Sequence, residues 1–240
     1  MADDKGTDRR ERADRILDTA KDLLLRWGYR RVTIDEIAAR SGVGKGTVYL
    51  HWRTREQLFM AVAAREAAAM YGGVADAMAA DPGEVALHRY MRRLFVEAME
   101  RPVLRAVFTR DTDTLGKLLS APAYRSLERA KLVASHDYLR LLIDAGLLRD
   151  DLSPADIDYP LTTIVFGFFA AEPLLPPDLG LTLHDKADHL ADALRRTFGP
   201  AREPSHARHA AAAPGAVAAF RTLADEFRAA AYGADGGTHE

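Results

Sequence analysis

Residues 33–52 read TIDEIAARSGVGKGTVYLHW and carry the signals for two short helices joined at a glycine. The hydroxyl of Thr33 suits the N-cap of the first helix, and Glu36 stands three residues later, in the reciprocal position of a capping box. Gly42 suits the left-handed backbone conformation that ends a helix. The second helix is expected from about residue 44 to residue 51. The stretch therefore predicts a helix-turn-helix unit.

The second predicted helix separates an inward face from an outward one. Val48 and Trp52 lie four residues apart, so both side chains can pack inward. Hydrogen-bonding side chains project elsewhere: Lys45, Thr47, Tyr49 and His51. Gly44 and Gly46 each cost about 1 kcal/mol of helix propensity relative to alanine, which favours a helix that closely approaches another surface. The layout is typical of a DNA-reading helix, although two short helices joined by glycine can also be purely structural.

Composition restricts the class of protein. The chain has 240 residues, 48% of them hydrophobic, which allows a sizeable core in one or two domains. It contains no cysteine, which excludes disulfides, thiolate metal sites and thiol nucleophiles. The charged N-terminus lacks the apolar core of a signal peptide, and no run approaches the roughly 18–20 apolar residues of a membrane span. We therefore expect a cytoplasmic location and no membrane partner.

Charge is unevenly distributed along the chain. Residues 1–55 hold 13 Lys and Arg against 9 Asp and Glu, whereas the remainder holds 20 against 26. The basic part coincides with the predicted helix-turn-helix, where contacts to phosphates would use it. A surplus of this size is also compatible with an ordinary solvated surface.

Helical periodicity continues downstream and no useful β-alternation occurs, so we predict an all-α fold. Residues 1–53 are expected to form a three-helix unit, and residues 54–199 a larger helical domain. Residues 200–240 are expected to comprise a Pro-, Ala- and His-rich linker, an amphipathic helix packed loosely or against a partner, and a mobile end. His206 and His209 are expected in the linker, exposed to solvent.

The sequence resembles the TetR family of bacterial transcriptional regulators over about residues 10–60. The resemblance rests on IDEIAARSGVGKGTVYLHW followed by RTREQL, with Trp52 at a position that is usually Phe or Tyr and Arg55 at one that is usually Lys. It implies an all-α homodimer whose N-terminal domain reads operator DNA and whose larger domain dimerises and binds a small-molecule effector. The implied function is a repressor that an effector of undetermined identity releases from its operator.

The resemblance also assigns contacts to double-stranded operator DNA. Seven positions are expected to touch it: Thr33, Lys45, Gly46, Thr47, Tyr49, His51 and Arg55. Thr33 and Arg55 resemble phosphate contacts at the starts of helices. Lys45 resembles a side chain that reaches a guanine edge or a phosphate. Tyr49 can instead belong partly to the core, and His51 can be merely exposed.

The larger domain is less explicit about its site. Eight aromatic and methionine residues could line an apolar effector pocket: Tyr90, Phe95, Met99, Phe108, Tyr124, Tyr138, Phe166 and Phe169. Each can equally be ordinary core, and Phe166 and Phe169 can belong to the dimer bundle. Helices at about 153–171 and 184–198 resemble the pair that forms a four-helix interface between the subunits in this family.

No catalytic, metal or cofactor site is predicted. His184 and His189 lie five residues apart, so they do not share a helical face as a metal-binding pair would. The chain has no GxSxG elbow, no HExxH and no glycine-rich loop after a strand. The rival interpretation is a helical small-molecule-binding protein or enzyme with a vestigial DNA-binding unit. Within the DNA-binding class, an activator and a nucleoid-associated protein are alternatives to a repressor.

Overall fold

The computed structural model describes residues 2–120, 122–176 and 179–232, and within these ranges the chain folds into eleven α-helices. They are α1 (Ala2–Trp27), α2 (Ile34–Ser41), α3 (Lys45–His51), α4 (Arg55–Ala80), α5 (Leu87–Glu100), α6 (Pro102–Phe108), α7 (Thr112–Leu115), α8 (Pro122–Asp144), α9 (Pro154–Ala171), α10 (Leu183–Phe198) and α11 (His206–Tyr232). Short 3-10 turns cover Pro82–Val85, Gly116–Ser120 and Glu172–Leu174. No strand occurs in these described ranges, and the predicted all-α fold is confirmed.

Local signals set the ends of α2 as the sequence predicts. The backbone N–H of Glu36 donates to the Thr33 hydroxyl at 3.2 Å, which satisfies one of the unpaired donors at the helix start. Gly42 ends the helix in the left-handed conformation at φ 70°. The reciprocal half of the predicted capping box is replaced, because the Glu36 carboxylate accepts from Arg40 at 3.3 Å.

The N-terminal core joins α1, α2 and α3 to elements that lie later in the chain. Its central side chains are fully buried: Ile16, Leu17, Ile37 and Val48. Burying each of these side chains contributes roughly 1.5–3 kcal/mol relative to leaving it exposed. The start of α4 packs into the same core through Leu58 and Phe59, and α6 and α7 do so through Val103 and Leu115. The helix-turn-helix therefore rests on three downstream helices.

A second core holds the larger body together. It draws on the remainder of α4 and on α5, α8, α9, α10 and α11. Ser153 is the N-cap of α9 and Thr182 is the N-cap of α10, and each forms a complete capping box with the aspartate three residues later. None of the described helices combines the length and the apolar character that crossing a bilayer requires.

The prediction of a linker at the start of residues 200–240 is wrong from residue 206 onward. The helix α11 begins at His206, and His209 is buried rather than solvated. The helix α11 packs along α4 and continues through Pro214. It also lies close to α8, because a Cβ on Gly215 would come within 2.5 Å of the Leu141 side chain. Tertiary packing over the whole helix offsets the roughly 3 kcal/mol that an internal proline costs. The expected mobile end, residues 233–240, lies outside the described residues.

Candidate nucleic-acid interface and apolar cavity

The helix α3 presents one face to the N-terminal core and the other to solvent. Val48 is fully buried and Trp52, the residue after the helix, is nearly so. The opposite face carries exposed positions: Lys45, Gly46, Tyr49 and Leu50. A Cβ on Gly46 would meet nothing within 4 Å, so that part of the helix surface is open to a close approach. A protruding helix of this kind can enter the major groove of DNA, which is about 12 Å wide.

Lys45 is tied to the neighbouring helix rather than projecting alone. Its Nζ lies 2.9 Å from the carboxylate of Asp35, which stands in the first turn of α2. The hydrogen bond and the charge of Asp35 raise the pKa of Lys45. Both side chains are solvent-exposed, so an arriving phosphate can compete with Asp35 for the ammonium group.

Arg55 lies against the connection between α1 and α2. Its Nη1 donates to the carbonyl oxygen of Val32 at 2.9 Å, and its guanidinium carbon lies 4.2 Å from the centroid of the Tyr29 ring. These contacts bring Arg55 beside Thr33, which is exposed and whose hydroxyl caps α2. The two positions that resemble phosphate contacts therefore share one edge of the unit, and Arg55 also has a structural role there.

Thr47 and His51 are partly buried on α3. The ring centroid of His51 lies 5.2 Å from that of Trp52. Burial lowers the pKa of His51, and the positive charges of Arg9 and Arg12 on α1 lower it further. The imidazole at this surface is therefore biased toward its neutral form.

One candidate on α3 escaped the sequence analysis. Leu50 is 79% exposed, the highest exposure of any large apolar side chain in the N-terminal unit among the described residues. Its position, two residues after the buried Val48, was the available signal, since it falls on the opposite side of the helix. An apolar side chain on a groove-reading face can contact a thymine methyl group.

A cavity of about 290 Å³ lies in the larger body. Its wall is formed by α4, α5, α6 with the turn that follows, α8, α9 and α11. Five of the predicted lining residues are among its described wall: Tyr90, Phe108, Tyr138, Phe166 and Phe169. Its volume lies near the lower end of the roughly 300–1,000 Å³ range of small-molecule sites.

Two of the predicted lining residues, Phe95 and Met99, are not part of the described cavity wall. Phe95 is completely buried and packs its ring against Phe169, with centroids 4.8 Å apart. Met99 packs against the body core from a partly buried position. Tyr124 lies on α8, but its side chain falls outside the described part of the structure.

Three aromatic wall residues were missed: Tyr71 of α4 and Phe220 and Phe227 of α11. The helical spacing of Phe220, Leu223 and Phe227 was visible in the sequence, but spacing alone does not reveal which element the face packs against. Phe220 packs between these tyrosines, with its ring centroid 4.7 Å from that of Tyr90 in a tilted pair and 5.3 Å from that of Tyr138 in an edge-to-face pair.

Two of the cavity tyrosines, Tyr90 and Tyr138, are held in their neutral form. Burial raises the pKa of Tyr90 and of Tyr138 far above the ordinary value. The Tyr138 hydroxyl donates to the carbonyl oxygen of Val85, which anchors this ring to the turn before α5. These residues supply shape and apolar surface rather than charge.

The end of α11 connects the body to the N-terminal unit. The indole Nε1 of Trp52 donates to the carbonyl oxygen of Ala231 at 3.0 Å, and this contact is buried. The next residue, Tyr232, hydrogen-bonds through its hydroxyl to Asp14 of α1. The guanidinium carbon of Arg10 lies 3.1 Å from the centroid of the Tyr232 ring. The last turn of α11 is thus fastened to the helix-turn-helix and to α1.

Comparison with known proteins places the N-terminal unit. Residues 16–62 match the profile of the family described as bacterial regulatory proteins, tetR family. This N-terminal unit, residues 16–62, belongs to the TetR family. The regulator QacR of Staphylococcus aureus (strain Mu50 / ATCC 700699) is 41% identical over 49 residues, which are 20% of this chain and 26% of QacR. The match therefore spans about a quarter of the length of that relative.

Solved structures resemble this chain over most of its length. SCO4942 of Streptomyces coelicolor, described as a transcriptional regulator, is 24% identical with a TM-score of 0.54, covering 77% of this chain and 97% of that one. A regulator from Saccharomonospora viridis, crystallised in complex with choline, is 19% identical with a TM-score of 0.53, covering 79% of this chain and 98% of that one. At these identities the likeness shows a shared fold alone.

Proposed function

We propose that the chain is a sequence-specific DNA-binding transcriptional regulator, a repressor that a small-molecule effector releases from its operator. The observation that carries the proposal is the exposed face of α3, with Lys45, Gly46 and Tyr49, within the segment that matches the family. Lys45, Gly46 and Thr47 would enter the major groove, and Thr33, Tyr49, His51 and Arg55 would hold the phosphate backbone.

The proposed active species is a homodimer. Operator half-sites lie about 34–36 Å apart, one helical turn, so two copies of α3 must be held at a matching distance. The helices at about 153–171 and 184–198 are the proposed interface. The outer side of α9 supports this proposal, because Tyr159 is 78% exposed and Phe166 is 47% exposed. An exposed apolar face of this kind commonly marks a protein interface.

The proposed effector site is the 290 Å³ cavity. A structure of similar fold, the regulator from Saccharomonospora viridis, was crystallised in complex with the small molecule choline, which supports a small-molecule effector. Three helices would couple the cavity to DNA binding, since each of them lines the cavity and also contacts the N-terminal unit. Met60 of α4 lines the cavity and belongs to the N-terminal core. On α6, Phe108 lines the cavity while Val103 enters the N-terminal core.

The third connection is α11, whose Phe220 and Phe227 line the cavity and whose Ala231 accepts the Trp52 hydrogen bond. An effector that favours a different packing of α4, α6 or α11 would change the spacing of the two α3 helices. The coupling free energy would equal the difference between the free energies of effector binding to the two dimer geometries.

Footprinting tests the proposal. Purified protein should protect one discrete pseudopalindromic site near its own gene or a divergent neighbour. We expect Tyr49→Ala to abolish this protection while the mass of the dimer is unchanged, and Lys45→Ala to weaken it. Lys117→Ala, an exposed lysine in the turn after α7, is the matched control and should retain full protection. Retained protection by Tyr49→Ala would contradict the proposed interface.

The same assay separates the alternatives. Protection that spreads along DNA regardless of sequence would instead indicate a nucleoid-associated protein. Absence of DNA binding would favour a small-molecule-binding protein or enzyme with a vestigial N-terminal unit. A reporter gene placed behind the protected site would distinguish a repressor from an activator.

A further inference from the structure

Two cationic side chains interrupt the apolar wall of the cavity. Arg110, in the turn after α6, and Lys131 of α8 both line it, and the described lining residues include no Asp or Glu. The two positive charges raise the electrostatic potential inside the cavity, which attracts an anionic group. Such a group could form charge-assisted hydrogen bonds with both side chains.

Aromatic rings hold both cations beside the cavity. The guanidinium carbon of Arg110 lies 5.6 Å from the centroid of the Phe166 ring. The Nζ of Lys131 lies 5.5 Å from the centroid of Phe108, whose ring stacks on Phe169 at 4.5 Å. Both distances are within the roughly 6 Å range of cation–π contacts. Because Arg110 and Phe166 are exposed as well as lining the cavity, they mark its mouth.

The backbone at Arg110 is an independent observation. Its φ is 54°, and no other non-glycine residue in the described ranges has a positive φ. An L side chain is strained in this conformation, and glycine would relieve the strain, as Gly28 does after α1. The ion pairs among the described residues also give Arg110 no carboxylate partner. An arginine at a position that favours glycine, at the mouth of a cavity, indicates a role for its charge.

We infer that the effector is an amphipathic anion, with an acidic head group beside Arg110 and Lys131 and an apolar body among the aromatic rings. The inference rests on the proposed function, in which this cavity is the effector site. A cavity of about 290 Å³ lies near the lower end of the size range of small-molecule sites, so it suits a small apolar body such as a phenyl ring on a short chain.

Calorimetry on the full chain without DNA tests the ligand class. Three probes share one body and differ in the head: 4-phenylbutyrate, 4-phenylbutanol and 4-phenylbutylamine. We expect the carboxylate to bind about tenfold more tightly than the alcohol, as a charge-assisted hydrogen bond would provide. The amine should bind most weakly. Equal binding, tighter binding of the alcohol or amine, or no binding of the carboxylate would overturn the inference.

Variants then assign the preference to the two cations. Arg110→Gly removes the charge while relaxing the backbone, so the variant should unfold at the same or a higher temperature than the wild type. Lys131→Met keeps an unbranched apolar side chain. In each variant the ratio of the affinity for the carboxylate to the affinity for the alcohol should fall, and in the double variant this ratio should approach one. Arg105→Ala, an exposed arginine of α6 outside the cavity wall, should keep the wild-type ratio.

DNA footprinting on the same preparations distinguishes the two proposals. A discrete footprint without carboxylate preference would overturn the ligand class and leave the regulator proposal standing. Carboxylate preference without any footprint would overturn the regulator proposal, and the cavity would keep its assigned ligand class. A carboxylate-to-alcohol ratio that survives in the double variant would show that Arg110 and Lys131 do not form the anion site.

Discussion

Lys45 shows how a single residue balances two partners. In the free protein its ammonium group pairs with Asp35 at 2.9 Å, within the same exposed surface that would approach DNA. A phosphate must displace that carboxylate or share the lysine with it. Asp35 also adds a negative charge close to where the phosphates would lie, which opposes association. We therefore expect the Lys45–Asp35 pair to lower the affinity for DNA.

Replacing Asp35 by asparagine is expected to tighten DNA binding. The substitution frees Lys45 and removes a repelling charge, so affinity at low salt should rise roughly three- to tenfold and the salt dependence should steepen by about one phosphate contact. Fluorescence anisotropy of a labelled operator, measured at several salt concentrations, checks both quantities. Asp22→Asn on the exposed side of α1 makes the same charge change and should alter affinity less. Weaker binding by Asp35→Asn would show that the carboxylate instead orients Lys45 productively.

His88 makes stability depend on pH. Burial lowers its pKa, Arg195, Arg89 and His209 lower it further, and Glu203 opposes them. The folded state therefore takes up this proton at a lower pH than the unfolded state, so stability is retained above the ordinary histidine pKa of about 6.5 and falls as the pH drops below it. The loss for one proton stays below about 1.4 kcal/mol per pH unit.

We expect His88→Asn to reduce that loss. Urea unfolding at pH 8, 6.5 and 5.5 measures the free energy of unfolding for both proteins. At pH 8 the imidazole is neutral in both states, so the difference between the proteins reports packing alone. Below pH 6.5 the free energy of unfolding of the wild type should fall relative to that of the variant. Parallel curves over the whole range would show that His88 does not contribute to the acid sensitivity.

At the scale of helices, α2 and α11 show what the sequence could and could not predict. The bounds of α2 follow from Thr33 and Gly42, whose effects are local, and α3 follows from the spacing of Val48 and Trp52. The start of α11 depends instead on long-range packing against α4 and α8, which overrides the breaking tendency of Pro214. For the same reason, the helical spacing of Phe220 and Phe227 is typical of a packing face but does not show that the face borders a cavity.

The contact between Trp52 and α11 should contribute to stability. Trp52→Phe keeps an aromatic ring in the core but leaves the buried Ala231 carbonyl without its donor, so we expect a loss of roughly 1–3 kcal/mol. Chemical denaturation measures the change. Trp27→Phe is the matched control, because Trp27 is half-buried and stacks under Arg40 at 4.6 Å without such a bond. A smaller loss for Trp52→Phe than for Trp27→Phe would contradict the importance of this contact.

At the scale of the whole molecule, we propose that the exposed side of α9 forms the interface between subunits. Tyr159 and Phe166 are joined by Leu174, which is 82% exposed in the turn that follows the helix. The outward positions of α10 are instead charged, among them Asp188 and Arg196. A four-helix interface built from both helices would therefore have an apolar half and a polar half.

An acidic residue in the apolar half should dissociate the proposed dimer. Tyr159→Glu would bury an unpaired charge against a second copy, which costs more than the interface can offset at low protein concentration. Light scattering after size-exclusion chromatography should show the monomer mass, and operator affinity should fall with it. Leu25→Glu introduces the same charge on an exposed apolar position of α1 and should leave the dimer intact. A Tyr159→Glu protein that stays dimeric would place the interface elsewhere.

The buried hydrogen bond between Trp52 and Ala231 also gives the protein an optical reporter. The chain contains two tryptophans, so Trp27→Phe leaves Trp52 as the sole indole emitter. Its emission maximum depends on whether its surroundings are dry or wet. If an effector loosens the last turn of α11, water reaches the indole and the emission moves to longer wavelength. Stopped-flow measurement of this emission shift would give the rate of the conformational change at the end of α11 after effector binding, in the absence of DNA.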